Sequence, residues 1–204
     1  MATIIIVPGT WSWDGEFPKQ DADTFWGEKS SAFRNALEAA GHTAYLYVWS
    51  TTVGGIGLGS RDLLVWRAAG VNLLDFVTAR GISSSTPLTI LSHSHGLQVT
   101  IAAASYGLHI THLIDISGPY RRDMQDFIDT ARPHIDQWTH FHGDWYRDRM
   151  AGFGGWFDSW NPTTWFRNPR NHPAADINIH LKGANHTPLK DPQFFPSILK
   201  VIHD

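Results

Sequence analysis

Short apolar runs, each giving way to a stretch of helical spacing, constrain this chain more than any other feature. "TIIIVPG" (3–9) is a β-branched run ended by Pro-Gly, and "PLTILS" (87–92) is a second run of the same kind. Neither shows the polar alternation of a half-solvated sheet, so both fit strands covered on two faces. "HTAYLYVWST" (42–51), "ITHLIDISG" (110–118), "DQWTHFHG" (136–143) and "DINIHLKG" (176–183) bring the expected strands to six. Between them lie predicted helices over 25–41, 61–81, 96–107, 121–131 and 192–204. The first has helical spacing at Phe33, Leu37 and Ala40 and stops at Gly41. Strands that alternate with helices predict an α/β domain, a three-layer sandwich around a mainly parallel sheet of about six strands.

The chain has 204 residues with no repeat and no linker-like tract, so 1–204 reads as a single domain. The exception to short connections is 145–175, too long for an ordinary turn and rich in Trp, which reads as a functional loop or lid. Hydrophobic residues at 42% against 17% charged exclude a disordered chain, and a net charge of -3 gives no reason to expect nucleic acid. Cysteine is absent, which excludes disulfides, thiolate metal sites and cysteine nucleophiles together. No stretch approaches the roughly 20 apolar residues of a transmembrane segment. "MATIIIVPGTW" lacks the pattern of a secretory signal, so a cytoplasmic location is the expectation, with export by a signal-independent route left open.

In an open parallel sheet, ligands bind beyond the carboxyl ends of the strands, so the residues just past each strand carry the most information. The segment "ILSHSHGLQ" runs from strand 87–92 into helix 96–107 with Ser94 at its centre. So sharp a strand-to-helix turn needs small residues two before and two after the centre, and Ser92 and Gly96 are both small. The centre then projects its side chain above the sheet, over the first backbone N–H groups of a helix. The bland alternative is a serine-rich loop that caps a helix.

Here the sequence resembles the α/β-hydrolase family, whose nucleophile elbow is Gly-x-Ser-x-Gly and often Gly-His-Ser-x-Gly. His93, Ser94 and Gly96 match in register, and Ser92 departs from the usual glycine. The resemblance implies Ser94 as nucleophile of a serine esterase or lipase-like enzyme of compact form. It also implies an oxyanion hole built from backbone N–H groups, here those of Thr10 and His95. Thr10 follows the first strand in "IIIVPGTW", where Pro8 replaces the family's histidine. The catalytic histidine falls at His186 in "LKGANHTPLKD", with Asn185 in place of a glycine. The acid falls after a strand between the two. Asp144, directly after Gly143, is favoured; Asp148 stays open, and Asp115 inside strand 110–118 reads as structural.

With 12 His, including His93-x-His95, His140-x-His142 and His109-x-x-His112, a metal hydrolase is the competing chemistry. The ligand run breaks at once, because Gly96, Leu97 and Gln98 follow His95, and no His-Glu-x-x-His occurs. The expectation is therefore no metal and no cofactor. "GGIGLGS" (54–60) lacks the Lys of a phosphate loop and reads as a mobile connection.

Ten Trp add a hint about substrate. Trp11, Trp13, Trp49 and Trp145 follow strands on the rim of Ser94, and Trp156 and Trp160 belong to the long loop. An aromatic rim suits an acyl or lipid-like ester over a small charged molecule, with Trp11, Trp13, Trp145, Trp156 and Trp160 as substrate-binding candidates. The same rings would equally well close a core, and Trp66 and Trp138 read as core residues. A small-molecule ester hydrolase using Ser94, His186 and Asp144 is thus the expected function, against a non-catalytic binding protein of the same fold.

Overall fold

The structure is a computed structural model that describes residues 2–9, 31–49, 52–53, 56–57, 63–83, 85–121, 124–144 and 171–203. Its centre is a sheet of six strands: β1 (Thr3–Val7), β2 (Thr43–Leu46), β5 (Leu88–His93), β6 (Ile110–Ile116), β7 (Ile135–His142) and β8 (Ile177–His180). Every pairing in it is parallel, in the order β2-β1-β5-β6-β7-β8. The order turns back between β1 and β5, which makes their carboxyl ends the topological switch point, the place where open parallel sheets bind ligands. Val7 and Ser92 are register partners there.

Helices α2 (Leu63–Ala79), α3 (Gly96–Ser105) and α4 (Gln125–Ala131) cover one face. Ile5, Val7, Ile90, Leu113 and Trp138 meet Trp66, Leu73, Leu97 and Ile128 in that core. Helices α1 (Ala32–Ala39) and α5 (Phe195–His203) cover the other, where Ile4, Ile6, Leu91, Ile114 and Phe141 meet Phe33, Leu37 and Ile198. Phe33 and Phe195 meet edge to face, with ring centroids 5.2 Å apart. The two buried faces explain the runs: a strand such as Ile4–Ile5–Ile6–Val7 feeds successive side chains to opposite cores. The three-layer α/β expectation is met.

Local chemistry sets the element ends. Ser31 caps α1, its Oγ accepting from Arg34 N at 3.2 Å, and Gly41 ends the turn after it with φ +84°. A Cβ on Gly70 would lie 2.7 Å from Ala102 Cβ, so glycine is what lets α2 lie close on α3. The predicted strand 42–51 is shorter than its apolar run, although Tyr47 N still donates to Ile6 O at 2.9 Å. The supposed connection at 54–60 includes part of a small antiparallel pair, β3 (Thr52–Val53) with β4 (Ile56–Gly57). Helix 121–131 starts only at Gln125, and Pro133 then sits in a single tight turn, Arg132–His134, before β7. Most of the Trp-rich segment, 145–170, lies outside the described residues. Among the described residues, no helix is long and apolar enough to cross a membrane.

Candidate active site

Ser94 is one of two described non-glycine residues with positive φ, at +52°. For an L-residue that conformation costs about 1–2 kcal/mol, so the surroundings must impose it. They do so on three sides. Ser94 N donates to Ile116 O at 3.0 Å, which ties the turn to β6, and Leu97 N donates to Ser94 O at 3.1 Å to start α3. Gly96 lies so close to β1 that a Cβ would fall 2.3 Å from Val7 O and 2.7 Å from Pro8 O. A Cβ on Gly9 would fall 2.6 Å from Ser94 Cβ. Two glycines thus let the loop after β1 and the head of α3 close around one serine.

Ser92, where the family has glycine, fits without exposure between Val7 and Asp115 in the register. Its hydroxyl is buried and has no hydrogen-bond partner. The departure is therefore tolerated sterically, at the cost of an unsatisfied polar atom.

His186 reaches the serine from the loop after β8. Leu181 N donates to His142 O at 2.8 Å, Gly183 turns the chain at φ +88°, and Ala184 N donates to Leu181 O at 3.0 Å. Asn185 Oδ1 then accepts from Thr187 N at 2.8 Å, a side-chain turn that makes up for the missing family glycine. The outcome is His186 Nε2 at 3.0 Å from Ser94 Oγ. That distance lies within the range needed for proton transfer. His93 joins the same loop: its Nε2 is 2.7 Å from His186 O, and the two rings lie 5.0 Å apart between centroids.

Asp144 is buried at the end of β7 and docks on that loop. Its Oδ2 accepts from Gly183 N at 2.9 Å, its Oδ1 from His180 Nε2 at 2.8 Å, and its own N donates to Ala184 O at 3.1 Å. Gly143 permits the approach, since a Cβ there would lie 2.5 Å from Ala184 O. Asp115 has different partners. His140 Nδ1 donates to its Oδ2 at 2.6 Å and Gly118 N to its Oδ1 at 3.0 Å, deep in the sheet. That is the structural use expected of it.

The histidines of β7 and β8 stack across the sheet. His140 and His142 rings are 5.9 Å apart, and His142 and His180 5.0 Å. His172 packs on Trp138 at 4.5 Å and is pushed down to about 3 by burial, with a smaller push from the neighbouring His140 charge. Among the described residues no three His, Asp or Glu side chains converge in a way that could hold a metal ion.

His95 heads α3, and its ring packs on Trp66 with centroids 5.6 Å apart. Trp49 is buried, and its Nε1 donates to Pro8 O at 2.6 Å, just past the carboxyl end of β1. It braces the loop after β1. Trp66 and Trp138 are core residues, as expected. Thr10, Trp11, Trp13, Trp145, Asp148, Trp156 and Trp160 all lie outside the described residues. Sequence reasoning missed the bond from His93 to His186 and the contact of His180 with Asp144. Neither has a sequence signal, because one depends on β7 and β8 lying side by side and the other on the loop after β8 reaching the end of β5 across two intervening strands.

No family model matches the chain, and no curated protein matches it in sequence. Solved structures do match in shape. A carboxylesterase of the thaumarchaeon Nitrososphaera gargenis superposes with TM-score 0.61 at 10% identity, over 99% of this chain and 89% of its own. Polyneuridine aldehyde esterase gives 0.57 at 15%, over 100% and 99%. A type II thioesterase from the yersiniabactin biosynthetic pathway gives 0.52 at 17%, over 99% and 92%. The chain has the α/β-hydrolase fold.

Proposed function

We propose that the protein is a serine hydrolase that cleaves carboxylic esters through an acyl-enzyme, with Ser94, His186 and Asp144 as its triad. One observation carries the reading: a serine held at φ +52° at the switch point of a parallel sheet, with an imidazole nitrogen 3.0 Å from its hydroxyl. A solvated loop serine capping a helix has no need of either feature. The folds of an esterase, a carboxylesterase and a thioesterase among the structural neighbours support the same class.

In this mechanism His186 Nε2 takes the Ser94 proton as Oγ attacks the acyl carbonyl. Asp144 orients the loop of His186 and stabilises the imidazolium, and the backbone N–H of His95, with that of Thr10, holds the oxyanion. The imidazolium then protonates the leaving alcohol, and water, activated by the same histidine, releases the acid. Thioesters are open to the same attack, since the machinery acts on the acyl carbonyl. Hydrolysis of p-nitrophenyl esters from acetate to palmitate tests the reading and its substrate class together. Turnover that rises with acyl length and vanishes in Ser94→Ala supports a lipid-like ester. Turnover on acetate alone removes the lipid-like part, and no turnover on any ester contradicts the function.

A further inference from the structure

His93 fills the variable position just before the nucleophile, where the elbow makes no demand on side-chain type. It is nevertheless buried, with its Nε2 2.7 Å from the main-chain oxygen of His186. A carbonyl oxygen only accepts, so the nitrogen facing it carries the hydrogen, and the His93 ring donates from Nε2. The loop after β1 flanks the same ring: a Cβ on Gly9 would lie 3.3 Å from His93 Nδ1. The His186 ring lies on it at 5.0 Å with planes 53° apart.

Because His186 stands on a turn and not in the sheet, regular ladder bonds do not fix its main chain. The turn is tied to the strands at Leu181, through His142 O, and at Ala184, through Asp144 N. His93 supplies a tie at the histidine itself, from the strand that also carries Ser94.

We infer that His93 is a positioning residue: its Nε2–H holds the main-chain carbonyl of His186 and thereby sets the imidazole over Ser94 Oγ. Nucleophile and base then share one anchor, the last residue of β5. The inference rests on the serine-hydrolase reading above. Displacement of a reacting group by about 1 Å costs up to roughly 100-fold in rate, so a single bond at this place has leverage.

Side-chain geometry gives a sharp test. A glutamine amide nitrogen reaches the position of histidine Nε2, whereas an asparagine amide reaches only that of Nδ1. His93→Gln, His93→Asn and His93→Leu are compared with wild type in fluorophosphonate labelling rate, in kcat and KM on a p-nitrophenyl ester, and in Tm. Expected are a labelling rate and kcat lowered about tenfold in the Asn and Leu variants, at unchanged KM and with Tm lowered by only a few degrees, and recovery to within about threefold in the Gln variant. Asn and Leu variants that label at the wild-type rate overturn the inference, as does a Gln variant as slow as Leu. Wild-type protein that takes no label defeats the hydrolase reading instead. The bond itself is then judged by 15N NMR of the His93 ring: an Nε2–H tautomer is expected, and an Nδ1–H tautomer overturns it.

Discussion

His172 makes the fold measurably sensitive to acid, and its surroundings set the size of the effect. The ring is buried against Trp138, Tyr120 and His140, with centroids 4.5, 5.4 and 5.6 Å away. Its Nδ1 accepts from Ala174 N at a long 3.4 Å, and its Nε2 has no hydrogen-bond partner. An imidazolium there is poorly solvated, and its pKa falls to about 3, from burial first and the His140 charge second. In the unfolded chain the same group titrates near 6.5. Below that pH the unfolded state binds a proton that the folded state refuses, so stability is lost as pH falls from about 6.5 toward 3. The slope is about 1.4 kcal/mol per pH unit, which gives about 2 kcal/mol between pH 7 and pH 5. For a chain of this size that is roughly 4–8 °C in Tm. Urea unfolding of wild type and His172→Gln at both pH values isolates the effect, since groups that do not interact with His172 cancel in the difference. Glutamine loses ring packing and lowers stability at both pH values, but the acid loss should shrink by about 2 kcal/mol. An equal acid loss in the two proteins would refute the argument.

Gly96→Ala should destabilise by at least about 1–3 kcal/mol in urea unfolding and lose fluorophosphonate labelling, because its Cβ meets Val7 O and Pro8 O, which belong to backbone. Ser92→Ala removes a buried hydroxyl that bonds to nothing, so it should keep its labelling rate and gain up to about 1 kcal/mol of stability. Asp144→Asn should lower kcat by orders of magnitude in a protein whose circular dichroism is unchanged. If Asp148→Asn does so and Asp144→Asn does not, the acid is misassigned.

The layers of the fold were legible in the sequence because burial on both faces leaves a mark, a short run without regular polar alternation, as in Ile4–Val7 and in Leu88–Leu91 with its single Thr89. Strand order was not written there, and with it went every contact that depends on neighbouring strands. His140 and His142 illustrate the gap: their alternation put them on one face of β7, but only the pairing with β6 and β8 supplies Asp115 and His180. Ser94 and His186 were legible because each follows a strand at a carboxyl end and the turn chemistry is local. The acid was harder, since any carboxylate near the end of β6 or β7 satisfies a rule of order. Their partners differ: Asp115 is bonded to His140 and Gly118, and Asp144 to His180 and to Gly183 in the loop that carries His186. The inward turn of the Trp49 ring was not legible, because a ring at the end of a strand can face solvent or pack down, and its indole N–H found Pro8 O.

The central claim is that Ser94 is a nucleophile activated by His186. Intact-mass analysis after fluorophosphonate treatment, with peptide mapping, tests it most directly. One adduct per chain is expected, on Ser94, absent from Ser94→Ala and formed far more slowly in His186→Gln. An adduct on another residue, labelling that survives Ser94→Ala, or folded protein that takes no label would contradict it.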